Sequence, residues 1–137
     1  NFLFSPKYKL FSVTKKKNTF RGFHYQKKPK PQNKLIIIYS GKIKDFIIPI
    51  ENPEYKKIKS YELSEGDALF IPSNYAHAFH SLSKDVIMEY YMDEKFYPSM
   101  YTGIYGLDIL KVNSNYKDII ISLKDKKLPK LIKNNNL

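Results

Sequence analysis

The first candidates for chemistry in this sequence are its three histidines, His24, His77 and His80. Because the chain contains no cysteine, a thiolate zinc site, a cysteine nucleophile and a disulfide scaffold are excluded. A metal site in a β-barrel usually has two histidines two residues apart on one strand, with a carboxylate and a third histidine. His77 and His80 are three residues apart and would point to opposite faces of a strand. The spacing therefore argues against a metal site.

His24 stands in an aromatic segment that is typical of a strand. On a regular strand Arg21 and Phe23 share one face, while Gly22, His24 and Gln26 share the other. A glycine within a strand leaves room beside the histidine for a ligand or for another backbone. Taken alone, the segment favours an ordinary core or surface histidine.

The elements that must position these residues are short strands. Apolar runs and alternating patterns predict strands at 35–39, 42–50, 57–63, 68–72, 76–82 and 86–92. Strands that recur every 8–12 residues with turns between them indicate an all-β sandwich or barrel. The one predicted helix covers residues 116–131 and is interrupted by Pro129. We expect a single domain over residues 1–132 and a frayed tail at 133–137.

Composition and charge exclude several classes of protein. Hydrophobic residues make up 42% and charged residues 27%, which is typical of a globular chain and not of a disordered one. No apolar run approaches the roughly 20 residues of a transmembrane helix. No signal peptide is visible, so a cytoplasmic location is expected. The net charge is +11, but Arg21 is the only arginine. This bias argues against nucleic-acid binding and fits surface lysines or a phosphate-bearing substrate.

Five motifs and two single residues, all in register, resemble one enzyme family. The sequence reads Arg-Gly-Phe-His-Tyr-Gln at 21–26, Asn-Lys-Leu at 33–35, Ile-Pro-Ser-Asn-Tyr-Ala-His-Ala-Phe at 71–79, Gly-Ile-Tyr-Gly-Leu-Asp at 103–108 and Ile-Ser-Leu-Lys-Asp at 121–125, with Tyr90 and Pro98 at matching distances. In this order they resemble the dTDP-4-dehydrorhamnose 3,5-epimerases of nucleotide-sugar biosynthesis. The resemblance runs from about residue 10 to about residue 131. It implies an all-β, cupin-type jelly-roll fold with a short C-terminal helical segment, and a homodimer.

The resemblance also implies a chemistry. Moving a proton at a carbon beside a ketone needs a base, a group that stabilises the enolate, and an acid on the opposite face. The implied catalytic residues are His24 as the base, Asp125 as the carboxylate that holds its ring, Tyr90 as the acid and Lys34 beside the enolate oxygen. The implied substrate-binding residues are Arg21 on the diphosphate, together with Gln26 and His77. No metal and no cofactor is required.

Two of these assignments have rivals in the sequence. Tyr91 is the competing tyrosine on the opposite face of the same strand as Tyr90. Asp125 lies within the charged run 124–127, which on its own is typical of a solvated surface. The match in register favours Tyr90 and Asp125.

The departures from the family pattern concern nucleotide recognition. Lys9 and Phe11 stand where the family has a glutamine and an asparagine near the sugar, and Tyr101 replaces a glutamate. The Tyr-Tyr-x-Pro that lines the base pocket stands as Lys-Phe-Tyr-Pro at 95–98. The expected function is therefore a cofactor-independent epimerase that inverts C3 and/or C5 of a nucleotide-linked 4-keto-6-deoxy sugar, with the base and the sugar left open.

Two alternatives remain. A sugar 3,4-ketoisomerase of the cupin class uses paired histidines in this region, and Gln26 argues against it. The other alternative is a non-catalytic jelly roll that binds a sugar or an anion. A nucleic-acid binder is more distant, because the tyrosines and phenylalanines alternate into predicted core faces.

Overall fold

The computed structural model describes residues 3–113 and 118–131. Nearly half of the described chain is β-strand and its helices are short, which confirms the predicted all-β class. The strands are β1 (Tyr8–Thr14), β2 (Thr19–Gln26), β3 (Lys34–Ser40), β4 (Lys42–Pro49), β5 (Lys59–Ser64), β6 (Ala68–Ile71), β7 (Tyr75–Ser81), β8 (Val86–Met92), β9 (Tyr101–Gly103) and β10 (Ile120–Ile121). Two short α-helices, α1 (Leu107–Asn113) and α2 (Leu123–Lys126), lie towards the C-terminus, and 3₁₀ turns occupy Tyr55–Lys57 and Pro98–Met100.

The described strands form two sheets. The first has the strand order β1-β8-β3-β6, and all of its pairs are antiparallel. The second has the order β10-β2-β7-β4-β5, with β9 also paired to β2 and β10 parallel to it. Strands next to each other in sequence, such as β3 and β4, enter different sheets, so the chain crosses repeatedly between the layers. This is the arrangement of a cupin-type jelly roll, as the resemblance implied.

Two apolar cores hold the sheets in place. The core between the sheets contains Ile36, Ile38, Ile43, Ile47, Leu63, Ile71, Phe79, Val86 and Met88. A second core lies on the far face of the second sheet and contains Phe20, Phe23, Phe46, Ile48, Ala76, Ala78, Ile104, Ile109 and Leu110. Full burial of a Val, Leu, Ile, Phe or Met side chain contributes about 1.5–3 kcal/mol to the stability of the fold. The second sheet is therefore buried on both faces, so that β7 is buried at every position from Ala76 to Ser81.

Several predicted elements differ from the observed ones. Within residues 118–131, the helix predicted at 116–131 is reduced to the four residues of α2, because the β-branched pair in β10 adds to the edge of β2. The short C-terminal helical segment is thus confirmed, but not its length. Strands β1 and β9 and helix α1 were not predicted. The half-buried alternation expected at 57–63 is also wrong: β5 is an edge strand in which Leu63 alone is buried. The predicted tail at 133–137 lies outside the described residues.

Within the described residues, no helix combines the length and the apolar character that crossing a membrane would require.

Candidate active site

Strand β2 carries the central histidine and is irregular there. Its pairing with β7 shifts register between Arg21 and His24. Arg21 is exposed, Gly22 and Phe23 are both buried, and His24 is partly exposed. The predicted strict alternation, with Arg21 and Phe23 on one face, is therefore wrong, because a β-bulge re-aims the side chains after Arg21.

Gly22 is the residue that allows β2 to approach β7. Its φ is +112°, and a Cβ placed on it would lie 2.5 Å from the carbonyl oxygen of His77 and 2.8 Å from the Cα of Ala78. The sequence left two occupants open for the space beside the glycine. The structure fills it with the backbone of β7, and this contact fixes His24 opposite His77 in the ladder.

Gly22→Ala should lower the free energy of unfolding by at least about 3 kcal/mol, since it combines a positive-φ strain with a backbone clash. Gly66→Ala is the matched control, because Gly66 has a φ of +90° but nothing within 4 Å of a built Cβ. The control should lose only about 1–2 kcal/mol. Urea unfolding of both variants measures the difference, and equal losses would show that the close approach at Gly22 is not important.

Asp125 is brought to β2 by helix α2. The Ser122 side chain accepts a hydrogen bond from the Asp125 backbone N–H at 3.0 Å, which starts the helix and turns the carboxylate inwards. One carboxylate oxygen accepts the Gly22 N–H at 3.0 Å, and the other lies 2.6 Å from Nε2 of His24. Asp125 is only 4% exposed although its neighbours in the charged run are exposed. It is therefore not part of a solvated surface.

The charge of Asp125 is maintained by its partners. Burial disfavours the carboxylate, but the hydrogen bond and charge of His24, the Gly22 N–H and the charge of Arg21 outweigh burial and hold its pKa below the ordinary value. A neutral His24 whose Nε2–H donates to Asp125 presents the lone pair of Nδ1. The pair can therefore accept a proton at Nδ1 while the carboxylate stabilises the imidazolium that forms.

The His24–Asp125 pair lines a cleft of about 340 Å³. This volume lies in the roughly 300–1,000 Å³ range of small-molecule sites. Arg21, Tyr101 and Lys124 are also in its lining. Arg21 and Lys124 make the entrance cationic, which suits an anionic ligand.

His77 belongs to a second histidine–carboxylate pair. Its Nε2 lies 2.5 Å from a carboxylate oxygen of Asp45, which is fully buried on β4. Burial raises the pKa of Asp45, while His77 and Lys34 oppose that rise. Asp45 was not predicted as a site residue from the sequence. The signal available was a carboxylate within a strand whose neighbours, Phe46 and Ile47, are apolar.

Tyr90 faces the inside of the jelly roll. Its ring centroid lies 6.1 Å from that of His77, and it packs against the core between the sheets. Burial and the charge of Asp45 raise the pKa of Tyr90 well above its ordinary value, so the phenol stays protonated. Tyr91 lies on the opposite face, on the same side of the sheet as Glu89, and helps to lower the pKa of that carboxyl. Of the two tyrosines, Tyr90 is the one beside the His77–Asp45 pair.

Lys34 is a buried cation at the start of β3. It is 7% exposed, and burial lowers its pKa to about 8, with Asp45 opposing the shift. Its Nζ lies 5.7 Å from the centre of the Tyr101 ring. Tyr101 in turn lies 5.4 Å from the His24 ring, so these three side chains form one cluster. Tyr101 was noted from the sequence as a departure from the family pattern, and it was not assigned to the site.

The Gln26 side chain forms hydrogen bonds with the backbone of neighbouring segments. Its amide nitrogen donates to the carbonyl oxygens of Lys30, at 2.6 Å, and Lys95, at 2.8 Å. Its amide oxygen accepts the Tyr97 N–H at 2.9 Å. The side chain is 2% exposed. The amide that was expected to bind substrate is thus engaged in tying the loop after β2 to the segment after β8.

Among the described residues, no three histidine or carboxylate side chains converge as metal ligands would. Two larger clefts, of about 450 and 430 Å³, lie elsewhere. Neither has His24 or Asp125 in its lining, and Tyr90 and Lys34 line none of these three clefts.

Comparison with known proteins gives a consistent result. A relative from Sinorhizobium fredii named dTDP-4-dehydrorhamnose 3,5-epimerase is 34% identical over 83 residues, which cover 58% of this chain and 43% of the relative. The aligned stretch thus spans less than half of that curated relative. A crystal structure of the Bacillus anthracis enzyme of the same name, with TDP and PPi bound, superposes with a TM-score of 0.83 at 31% identity, covering 93% of this chain and 75% of that one.

A second solved structure is the dTDP-6-deoxy-D-glucose-3,5-epimerase of Legionella pneumophila in complex with dTDP-4-keto-L-rhamnose. It has a TM-score of 0.78 and 26% identity, and covers 93% of this chain and 69% of that one. The sequence profile of the dTDP-4-dehydrorhamnose 3,5-epimerases matches residues 6–133. On this match the chain belongs to the dTDP-4-dehydrorhamnose 3,5-epimerase family.

Proposed function

We propose that the protein inverts C3 and/or C5 of a nucleotide-linked 4-keto-6-deoxy sugar. The observation that carries the proposal is the contact between His24 and Asp125, which are 101 residues apart in sequence and 2.6 Å apart in a cationic cleft. Family membership supports the reaction type. The dTDP-4-keto-L-rhamnose held by the Legionella protein supports the substrate class.

His24 acts as the base in this proposal. Its Nδ1 removes the proton from the carbon beside the keto group, and the electron pair of that C–H bond moves to the carbonyl oxygen to give an enolate. Asp125 holds the ring through Nε2 and favours the imidazolium. Arg21, exposed in the same cleft, binds the diphosphate.

Lys34 and Tyr90 complete the exchange of protons. The ammonium of Lys34 stabilises the enolate oxygen, and a buried cation is worth several kcal/mol at such a position. Tyr90 then donates a proton to the opposite face of the carbon, which inverts the centre. His77, oriented by Asp45, lies beside the Tyr90 ring and acts as a positioning residue in the wall of the site. None of these steps calls for a metal or a cofactor.

Incubation with dTDP- and GDP-linked 4-keto-6-deoxy sugars in deuterium oxide tests the proposal. Entry of deuterium at C3 or C5 supports an epimerase, and NMR of the product tells which centres are inverted. Movement of the keto group instead supports the 3,4-ketoisomerase. Binding of the nucleotide sugar with no exchange would leave a non-catalytic sugar- or anion-binding jelly roll.

Tyr90→Phe should slow net inversion more than it slows the first exchange of the substrate proton. The variant loses the acid, while the His24–Asp125 pair that removes the proton keeps its contact. We expect inversion to fall by about 100-fold and exchange by less than about tenfold. Tyr91→Phe is the matched control on the other face. Equal losses of inversion and exchange in Tyr90→Phe would contradict the division of roles.

We also propose a homodimer. Large apolar side chains of the first sheet are exposed, among them Phe11 (60%), Val13 (45%) and Tyr39 (45%). An apolar sheet face of this kind is suited to cover a second copy of itself around a two-fold axis. Light scattering of the wild-type protein should give twice the monomer mass. Phe11→Lys should reduce the measured mass towards that of the monomer.

A further inference from the structure

Tyr101 contacts two of the candidate catalytic residues, His24 and Lys34, and has not yet been given a role. It pairs with Gln26 across β9 and β2, two positions from the Gly103–His24 pair, so Tyr101 and His24 lie on the same face as diagonal neighbours. Its ring centre is 5.4 Å from the His24 ring, 5.0 Å from the exposed Phe96 ring and 5.7 Å from Nζ of Lys34.

We propose that Tyr101 is a positioning residue of the epimerase, whose uncharged ring holds the base His24 and the cation Lys34 in register across the sugar and limits the negative charge around Lys34. The inference rests on the proposed function and extends it to a residue that departs from the family pattern.

The reaction fixes the distance between the base and the cation. The base must reach a carbon and the cation must reach the oxygen on the adjacent carbon, so their separation is set within a few tenths of an ångström. His24 belongs to the second sheet and Lys34 to the first. Tyr101 contacts both, and its rigid ring has only two side-chain torsions, which makes it a suitable spacer between the two sheets.

Titratable groups from both sheets lie around Lys34. Asp45, paired with His77, faces it from β4, and Tyr90, which is opposite Ile36, is its diagonal neighbour on the same face of the first sheet. Tyr8 on β1 lies in the same row across β8. Of these groups, Asp45 supplies the negative charge. Burial and the charge of Asp125 raise the pKa of Tyr101 to about 12, so its phenol adds none.

A glutamate at position 101, the residue of the family pattern, would place a second negative charge beside Lys34. A nearby carboxylate favours the ammonium and raises the pKa of a lysine. Tyr101 instead offers a ring face, which attracts the ammonium more weakly. A carboxylate at position 101 should therefore raise the pH at which Lys34 loses its proton.

The first test compares Tyr101→Leu with Tyr101→Phe. Tyr105→Leu is the matched control, because Tyr105 also has a lysine, Lys130, 5.3 Å from its ring centre. We expect Tyr101→Leu to lower kcat for deuterium exchange by at least about tenfold with a smaller change in KM. Phenylalanine should restore most of that loss. A loss in Tyr101→Leu no greater than in Tyr105→Leu, or a change in KM alone, overturns the positioning role.

The second test does not depend on turnover. NMR titration of the Lys34 side-chain ¹³Cε signal, assigned by its absence in Lys34→Met, should give a midpoint about one unit higher in Tyr101→Glu than in the wild type. An unmoved midpoint overturns the electrostatic part. If the wild-type protein exchanges no nucleotide sugar, the proposed function fails, and the titration still decides whether Tyr101 controls the charge of Lys34.

Discussion

His24→Ala is expected to lower the rate of deuterium exchange into a 4-keto-6-deoxy sugar by about 100- to 10,000-fold. The variant removes the imidazole that accepts the substrate proton, and no other group hydrogen-bonded to Asp125 can replace it, since the second contact of that carboxylate is the Gly22 N–H. The measurement is NMR of the substrate in deuterium oxide, with circular dichroism to check that the fold is intact. Exchange near the wild-type rate would remove the base assignment.

Asp125→Asn sharpens the same prediction. An asparagine can keep its oxygen on the Gly22 N–H only by turning its NH₂ group towards Nε2 of His24. His24 must then accept at Nε2 and carry its proton on Nδ1, the nitrogen that should remove the substrate proton. The loss should therefore approach that of His24→Ala. Asp108→Asn, a partly buried carboxylate in the first turn of α1, is the control and should leave exchange within about twofold.

Local sequence patterns were sufficient for most of the strands. The β-branched and aromatic runs bounded by turn residues or charged residues gave β8 its observed bounds and placed most other strands within one or two residues. The residues of β1 were not recognised, since Lys9 and the exposed Leu10 and Phe11 do not alternate between apolar and polar. That strand exists because it pairs along the whole of β8, which is a long-range contact.

The candidate site was likewise predicted only in part: its motif residues were found from the sequence, and the contacts made by long-range strand pairing were not. The motifs named His24, Asp125, Tyr90 and Lys34, and the structure gives each of the four buried or partly buried surroundings. No local pattern could show that Asp45 faces His77, or that Tyr101 lies against His24, because each pair is formed by strands distant in sequence. The bulge after Arg21 was missed for a related reason: it results from the approach of β2 to β7 at Gly22.

Lys34→Met is expected to change activity and stability in opposite directions. Exchange should fall by about 100-fold or more, because the enolate oxygen loses its cation. The free energy of unfolding near pH 7 should rise by about 1–3 kcal/mol, because a buried ammonium is replaced by an apolar side chain of similar length. Asp45 keeps its hydrogen bond to His77 in the variant. Lys59→Met, at an exposed lysine, is the control and should change stability by less than about 0.5 kcal/mol.

The pH dependence separates this explanation from a simple gain in packing. Burial lowers the pKa of Lys34 from 10.5 in the unfolded chain to about 8 in the fold, so folding disfavours its protonated form. Below pH 8 the buried ammonium of Lys34 therefore lowers the free energy of unfolding of the wild-type protein by its full amount. This destabilisation disappears as the pH rises from 8 to 10.5. Urea unfolding should show the advantage of Lys34→Met at pH 6.5–7.5 and its decline above pH 8, while wild-type exchange should fall as Lys34 loses its proton near pH 8. A stability gain that is constant across this range would mean that the charge of Lys34 is not its origin.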